Sequence, residues 1–229
     1  SKSATKGRDI RAQIQAGEYS GWDDPRLVTL KALKRRGITL EALKELSQQV
    51  GLSKKEVRID FAAVAAISRK LQDDKVQRFY FVPNPINLEI SKFPKIKEVK
   101  ARIHPKKPKT RTIKVSNNIS ISSEDFKKYK NQEVRLMNLC NIKLSDKPEC
   151  TETENKKVQK IQWVNSKDAI PTKILMDNNQ WISGLAESNI KGIKEGDVIQ
   201  FERFGFVKLD KKPKSSEKNK AYEFWFSHK

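Results

Sequence analysis

The stretch RFYFVPNP, residues 78–85, divides the chain into two parts with different patterns. Residues 79–82 are aromatic or β-branched and favour a strand, which the prolines at 83 and 85 interrupt. Before this stretch the apolar residues follow helical spacing, and after it they form short alternating or β-branched runs. The pattern predicts an α+β fold, in which a small N-terminal helical domain precedes one or two β-barrels or sandwiches.

The first part contains three predicted helices with short connections. The first begins at the N-cap and proline pair Asp24-Pro25 and ends at Gly37. The second follows Thr39 and ends at Gly51, and the third follows Asp60. Lys34, Arg35 and Arg36 form the last turn of the first predicted helix, where positive charges interact favourably with the negative end of the helix dipole. The same cluster could contact a phosphate, and both interpretations stay open.

The second part contains about a dozen short strand candidates. One capped helical turn or two is expected at 123–129, and mobile loops are expected at 145–157 and 211–220. Strand alternation predicts Trp163, Phe201 and Phe206 in the core, with Gln162, Gln200 or Glu202 facing solvent. Arg135 lies between Val134 and Leu136, so it faces a ligand if both neighbours are buried.

Composition points to a polyanionic partner. Lysine and arginine number 48 against 28 acidic residues, a formal net charge of +20. Because the charge is spread over both parts, a folded RNA or a duplex is a more suitable ligand than a small anion. Basic and hydrogen-bonding residues lie beside aromatic ones at 162–163 and 200–204, a combination suited to unpaired bases.

Several other classes are disfavoured. The cysteines, Cys140 and Cys150, and the histidines, His104 and His228, do not form a zinc or disulfide pattern. No apolar run approaches a membrane span and no secretory leader is evident, so we expect a reduced, soluble, cytoplasmic protein. No catalytic triad or glycine-rich phosphate loop is found, so catalysis by this chain alone is not expected.

His104 and the pair Asp23 and Asp24 could be taken for catalytic groups, but both have structural interpretations. His104 precedes a proline in a basic stretch and is expected at the surface or facing a phosphate. Asp23 and Asp24 resemble paired acids, but Pro25 favours helix capping for them. The basic tract at 104–111 is a solvated connection or a clamp for a nucleic-acid backbone.

The order of motifs resembles the glutamyl- and glutaminyl-tRNA synthetases over essentially the whole chain. GWDDPRL at 21–27 and TLKALKRRGI at 29–38 resemble the segment after their second signature loop, and SKS at 1–3 resembles the end of that KMSKS loop. RFYFVPNP, VRLMN at 134–138, IQWV at 161–164 and QFERFG at 200–205 resemble the anticodon-binding region in order. GLAE at 184–187 is most similar to the archaeal type of glutamyl enzyme.

The resemblance implies a C-terminal fragment of a class I synthetase. It implies a KMSKS remnant at 1–9, a helical domain contacting the tRNA stem at 10–77, and two antiparallel β-barrels that bind the anticodon at 78–229. The parent enzyme would join glutamate to tRNA through glutamyl-adenylate, using ATP and Mg²⁺, neither of which this fragment would bind. Its catalytic domain would precede residue 1.

The resemblance also implies roles for individual residues. Lys2 matches the lysine that stabilises the ATP triphosphate, and Met137 stands where the glutaminyl family often has a second arginine. No metal ligand is implied. The implied sites are the signature-loop residues Ser1, Lys2 and Ser3; the tRNA stem contacts Arg26, Lys34, Arg35 and Arg36; the anticodon contacts Arg135, Asn138, Gln162, Gln200 and Arg203; and the backbone clamp Lys106, Lys107, Lys109 and Arg111.

Two alternatives remain open from the sequence. The chain could be the same region of a glutaminyl-tRNA synthetase, or a non-catalytic RNA-binding protein built from a helical unit and β-barrels. Under the first hypothesis the partner is glutamate tRNA, and glutamine tRNA as well if reading of the third anticodon base is relaxed. We expect a monomer.

Overall fold

A computed structural model of the chain describes residues 7–50, 61–214 and 220–229. The helices are followed by an extensive β region, which confirms the α+β class. No helix in these ranges combines the length and apolarity needed to cross a membrane. The helices are α1 (Gly7–Gln15), α2 (Leu30–Arg36), α3 (Leu40–Val50), α4 (Phe61–Gln72) and α5 (Ser123–Tyr129), with a 3-10 helix at Ser188–Gly192.

The strands begin at Arg78. They are β1 (Arg78–Phe79), β2 (Phe81–Pro83), β3 (Pro85–Glu89), β4 (Glu98–Arg102), β5 (Thr110–Lys114), β6 (Asn118–Ser122), β7 (Glu133–Leu136), β8 (Asn141–Lys143), β9 (Glu149–Glu152), β10 (Gln159–Ile161), β11 (Val164–Asn165), β12 (Ile170–Leu175), β13 (Trp181–Ala186), β14 (Val198–Phe201), β15 (Gly205–Lys211) and β16 (Tyr222–His228).

The largest sheet is a nearly closed barrel. Its strand order is β1-β14-β15-β16-β12-β13-β2, so its two edges are the halves of one segment separated only by Tyr80. Closing a sheet in this way removes the exposed edges that would otherwise pair with other chains. Phe201 and Phe206 are both buried, as predicted, and Phe81 stacks on Phe201 at 4.9 Å between ring centroids.

A second core lies under the remaining sheets. The four-stranded sheet β10-β7-β8-β9 and the three-stranded sheet β11-β6-β3 surround a cluster that includes Trp163, which is fully buried as predicted. The hairpin β4–β5 forms a separate two-stranded sheet. Among the described strands, β1 with β14, β7 with β10 and β12 with β16 pair in parallel, which differs from the expected antiparallel barrels.

The first predicted helix begins later than its sequence indicated. α2 starts after Thr29, whose hydroxyl caps the Ala32 amide, because Asp24 is used for a buried ion pair instead. Its end at Gly37 is confirmed, with the left-handed φ of 93° that favours glycine. The start of α3 after Thr39 is confirmed by the bond from the Ala42 amide to the Thr39 hydroxyl. The predicted boundaries at Gly51 and Asp60 lie outside the described residues.

The β region also departs from expectation in one loop. Residues 145–157 contain strand β9, which pairs with β8, so the prediction of a strand-free segment is wrong. The short helix at Ser123–Tyr129 is confirmed and is capped by the Ser122 hydroxyl, which accepts from the Asp125 amide. Residues 215–219 of the predicted second loop lie outside the described residues.

Candidate RNA interface

Two open crevices meet at Glu202, in the turn between β14 and β15. The first, the Asn138 crevice, has a volume of about 460 Å³ and lies beside the hairpin β4–β5. The second, the Gln162 crevice, has a volume of about 410 Å³ and lies beside α5. The Asn138 crevice is lined by Arg78, Lys100, Arg102, Pro105, Thr110, Asn138 and Glu202.

Asn138 is held at its crevice by a rigid turn. It lies between β7 and β8 with a φ of 61°, a left-handed conformation that asparagine tolerates better than most residues. Its Nδ2 donates to the Tyr80 hydroxyl at 2.6 Å, and the neighbouring Met137 carbonyl accepts from the Trp163 indole at 2.9 Å. Burial raises the pKa of Tyr80, so its hydroxyl stays protonated. The predicted contact Asn138 is therefore exposed and preorganised.

Hydrogen-bonding capacity is unused at Arg78, which lines this crevice, and at Gln200, which lines neither crevice. Within the described residues, Arg78 Nε and Gln200 Oε1 are buried without a partner. These two residues are opposite each other in the β1–β14 pair. Buried polar atoms normally find partners, so unsatisfied ones call for water or a ligand. Gln200, predicted to face solvent, is half-buried with this acceptor unused.

Glu202 supplies an acceptor to both crevices. Its carboxylate is 3.7 Å from Arg111 Nη2, and its backbone carbonyl accepts from Gln162 Nε2 at 2.5 Å. Burial raises the pKa of Glu202, although the charges of Arg111 and Arg78 act in the opposite direction. Because Glu202 lies where the two crevices meet, a ligand in either crevice could contact it.

The hairpin β4–β5 adds a basic surface that the sequence analysis did not identify. Lys100 and Arg102 alternate with buried Ala101 and therefore project from the outer face of β4. Both line the Asn138 crevice. Their alternation with Val99 and Ala101 could have identified this face, but the strand was predicted at 101–104, which begins three residues too late.

The predicted backbone clamp is only partly exposed. Lys107 and Lys109 lie on the surface, while Lys106 donates to Asp74 Oδ1 at 2.8 Å. Arg111 is 7% exposed and forms a two-pronged pair with Glu187, at 2.7 and 3.0 Å. Its expected role as a clamp needs correction, because a buried guanidinium paired with a carboxylate cannot reach a phosphate in this conformation.

The Gln162 crevice contains two predicted anticodon contacts. Gln162 was expected to face solvent, but it is buried, with 5% of its surface exposed. Arg203, with a φ of 61°, donates to both carboxylate oxygens of Asp125 at 2.8 and 2.9 Å. These bonds to Asp125 raise the pKa of Arg203. An anionic ligand would therefore compete with Asp125 for this guanidinium.

Arg135 is not presented at either crevice. Val134 and Leu136 are buried, as the prediction required, yet Arg135 is itself 9% exposed. Its Nη1 donates to Asn141 Oδ1 and to the carbonyls of Thr153 and Glu154, at 2.9, 3.2 and 2.8 Å. The chain at 153–154 covers this face of the sheet, so strand alternation alone misjudged its exposure.

Three of the four predicted stem contacts are engaged within the protein. Arg26 pairs with the buried Asp24 at 2.7 Å, and Arg35 bonds to Asp23 and Asp210. Arg36 is 3% exposed and donates to the carbonyls of Phe226 and Ser227, so its phosphate role needs correction. Lys34 is exposed and retains the geometry for a phosphate contact.

Asp24 serves the fold rather than a pair of catalytic acids. Its carboxylate accepts from the Ser20 amide and from the Arg26 amide and guanidinium. Burial by itself would raise the pKa of Asp24, but these hydrogen bonds hold it well below its usual range. The capping role expected for Asp24 at Pro25 is therefore replaced by this network.

His104 is buried, so its predicted place at the surface is wrong. It is 1% exposed, its Nδ1 accepts from the Lys106 amide at 3.1 Å, and its Nε2 has no partner among the described residues. His104 lies with Asp73 and Asp74 in a group whose ligand atoms are within 4.8 Å of one another. The carboxylate of Asp73 is paired with Arg78, and that of Asp74 with Lys106. Because His104 Nδ1 accepts a hydrogen bond, Nε2 is the nitrogen that carries the proton when the ring is neutral. That chemistry suits ion pairing better than metal binding.

The signature-loop residues Ser1, Lys2 and Ser3 lie outside the described residues. The structure places all the other predicted contacts. Among them, Asn138, Lys34, Lys107 and Lys109 combine a well exposed side chain with a position outside the ion pairs described above.

Three family models match consecutive parts of the chain. Two describe the anticodon-binding domain of class I tRNA synthetases (E and Q) and match residues 76–163 and 160–210. The third describes the catalytic domain of the same synthetases and matches residues 2–73. Apart from Lys229, all residues that line the two crevices lie in the part of the chain that matches the anticodon-binding models.

Archaeal proteins named glutamate–tRNA ligase are similar to the chain over most of its length. The protein of Archaeoglobus fulgidus is 35% identical over 206 residues, which is 88% of this chain and 37% of the relative. That of Methanocaldococcus jannaschii is 36% identical over 211 residues, 87% of this chain and 38% of the relative. That of Korarchaeum cryptofilum is 33% identical over 218 residues, 90% and 38% respectively. The chain spans well under half the length of these relatives.

Proposed function

Since the chain belongs to the glutamyl and glutaminyl family of class I tRNA synthetases, we propose that it is the tRNA-binding part of a glutamate–tRNA ligase. Residues 10–77 would contact the tRNA stem and residues 78–229 the anticodon arm. The similarity to archaeal glutamate–tRNA ligases supports glutamate as the amino acid.

The observation that carries this proposal is the junction of the two crevices at Glu202. Arg78 and Glu202 both line the Asn138 crevice, where Arg78 Nε can donate and the Glu202 carboxylate can accept; donors and acceptors of this kind recognise base edges. Lys100 and Arg102 lie at the rim, where a phosphate backbone would pass. Unstacked bases could therefore enter a polar crevice while cations hold the backbone.

The whole enzyme would form glutamyl-adenylate from glutamate and ATP and transfer glutamate to tRNA. ATP would supply the activating group, and Mg²⁺ would neutralise its phosphates. Lys2 is the residue of this chain proposed to contact the triphosphate, an electrostatic task suited to a flexible ammonium. The described residues would bind and orient the tRNA. We expect the chain to be monomeric and to act in the cytoplasm.

Binding of glutamate tRNA transcripts with native and swapped anticodons tests the proposal. The informative variant is Asn138→Gly, because glycine retains the left-handed turn while removing the side chain. Asn131→Gly is a matched control, since Asn131 is also exposed, with a φ of 65°, but lies in the turn after α5. We expect Asn138→Gly to weaken binding of the transcript with the native anticodon about tenfold. The chain should also lose part of its preference for that transcript over the one with a swapped anticodon.

The same transcripts distinguish the alternatives. Preference for glutamine tRNA alone would identify the region as that of a glutaminyl enzyme, and equal binding of both tRNAs would indicate relaxed reading of the anticodon. Equal affinity for all anticodons, unchanged by Asn138→Gly, would reject base recognition at the crevice. The chain would then be an RNA-binding unit without anticodon preference.

A further inference from the structure

An apolar groove lies between the helices and the barrel, and of the proposed tRNA contacts only Lys34 stands at its edge. This leucine groove is formed by Leu30, Ile38, Leu40 and Leu43 on the helical side and by Val198 on β14. Its volume is about 470 Å³, and Lys34 and Lys208 stand at its edges. Grooves of this size and lining accept apolar side chains.

The floor of the groove is closely packed. Gly37, which ends α2, approaches the barrel so closely that a Cβ there would lie 2.9 Å from Val198 Cγ2 and 3.2 Å from Lys208 Cβ. Lys208 Nζ also donates to the Lys34 carbonyl at 2.9 Å, which joins β15 to the end of α2. These contacts hold the two walls at a fixed separation.

The leucines at the rim are unusually exposed. Leu30 is 72% and Leu40 is 63% exposed, the two highest values among the large apolar residues that the structure describes as exposed. Val28, 47% exposed, precedes Leu30 on the same segment. Scattered exposed apolar residues are common, but leucines grouped around an apolar groove are typical of a protein-binding site.

The charge at the groove selects an acidic occupant. Lys31, one turn before Lys34, is also exposed, so α2 presents positive charge along this side. Burial lowers the pKa of Lys208; the carboxylate of Asp210 opposes this shift, while the nearby charges of Lys34 and Arg35 add to it. Glu41 and Glu45 line a different depression on α3. A second copy would bring like charges together, and RNA would leave the leucines without apolar partners.

We propose that the leucine groove binds an acidic amphipathic helix of a partner protein. Apolar side chains spaced at i, i+3 and i+7 on that helix would contact Leu30, Leu40 and Val198, as in other helix-in-groove complexes. Its acidic residues would face Lys31, Lys34 and Lys208. This interaction is separate from the proposed tRNA contacts at the Asn138 and Gln162 crevices.

A designed peptide tests the groove directly on the whole 229-residue chain. The probe is a fluorescein-labelled helical peptide of about 15 residues, with leucines at i, i+3 and i+7 and glutamates flanking them. A peptide of the same composition with its leucines dispersed around the helix is the control. Fluorescence anisotropy should show saturable binding of the first peptide and binding at least about tenfold weaker for the second.

Variants locate the binding site. The double change Leu30→Ser and Leu40→Ser should weaken peptide binding about tenfold or more. Trp181→Ser is the control, since Trp181 is an apolar residue that is 48% exposed outside the groove, and this change should not affect binding. Changing Lys31 and Lys34 to Glu should weaken binding of the glutamate-containing peptide and strengthen binding of a version in which lysines replace the glutamates. All three protein variants alter exposed side chains, so circular dichroism should confirm that each is folded.

Several outcomes would overturn the proposal. One is the absence of saturable binding, and another is equal weakening by Trp181→Ser. Self-association that disappears in the leucine variant would assign the groove to a second copy. A fall in tRNA affinity in that variant, without peptide binding by the native chain, would assign it to RNA. If a longer form of the protein failed to bind the peptide while this chain bound it, the groove would be an internal contact.

Discussion

Arg35 and Asp210 join the helical unit to the barrel through two parallel hydrogen bonds. Arg35 Nε and Nη2 donate to the two carboxylate oxygens of Asp210 at 3.1 and 2.9 Å, although the residues are 175 positions apart in the chain. The same guanidinium lies 4.1 Å above the Trp225 ring, and its Nη1 donates to Asp23 at 2.6 Å. Arg35 therefore orients α2 against β15 and β16.

We expect Asp210→Asn to destabilise the chain modestly, by about 0.5–1 kcal/mol, because the Arg35 side chain is 40% exposed and solvent screens the pair. Urea unfolding at low and high salt measures this, and the difference between variant and native chain should shrink as salt rises. tRNA affinity at moderate salt should be unchanged. A large fall in tRNA affinity without a fall in stability would instead make Arg35 a phosphate contact that Asp210 positions.

The Arg111–Glu187 pair should be among the most sensitive points of the fold. Glu187 also accepts from the Tyr80 amide at 2.8 Å, so it joins the β4–β5 hairpin to the segment that closes the barrel. Glu187→Gln would remove the two-pronged partner of a buried guanidinium and leave only the Glu202 carboxylate at 3.7 Å, at a cost of about 3 kcal/mol in the free energy of unfolding.

The double variant Glu187→Gln, Arg111→Met provides the control for that prediction. Removing both charges should restore part of the stability, because an apolar side chain of similar length replaces a buried cation that has lost its two-pronged partner. Chemical denaturation of the four chains of the cycle measures the coupling. Additive effects of the two changes would show that the pair is not energetically linked.

His228 makes stability depend on pH below neutrality. Burial lowers the pKa of His228 from 6.5 to about 4 in the folded chain, against a weaker opposing effect of the Lys229 carbonyl. Because the unfolded chain binds the proton more readily, the stability from neutral His228 is complete above pH 6.5 and is lost as pH falls from 6.5 towards 4. Between pH 7 and pH 5 this loss should be about 2 kcal/mol.

The measurement is the urea midpoint of native and His228→Gln chains at pH 7 and pH 5. The ring of His228 lies 4.5 Å from that of Phe206, so the variant should be less stable at pH 7 but should show a smaller change between the two pH values. If both chains lose the same stability on acidification, other groups are responsible.

Lys100 and Arg102 should act on every tRNA alike. They lie at the rim of the Asn138 crevice, where a backbone would pass, so changing both to Ala should weaken matched and anticodon-swapped transcripts equally. The slope of log affinity against log salt should fall by about one to two, because each of the two cations would neutralise about one phosphate.

Lys194→Ala is a suitable control, since Lys194 is exposed but lies between the 3-10 helix and β14, away from both crevices. An equal reduction in that variant would indicate a general effect of net charge. A change in anticodon preference with Lys100 and Arg102 removed would place them in base recognition instead.

The sequence by itself determined several helix boundaries and the family. Gly37 ended α2, Thr39 preceded α3 and Ser122 capped α5, because these depend on neighbouring residues and backbone conformation. The ordered motifs identified the family over nearly the whole chain. The alternation of β14 and β15 correctly placed Phe201 and Phe206 in the core.

Only the tertiary structure decided which charged side chains are free to contact a ligand. Arg36, Arg111 and Arg135 all occupy basic or strand positions that suggested exposure, yet each is covered by a segment distant in sequence. Lys100 and Arg102 entered the candidate site because the β4–β5 hairpin folds beside Asn138. Exposure depends on what packs over a residue, and sequence spacing describes only its own element.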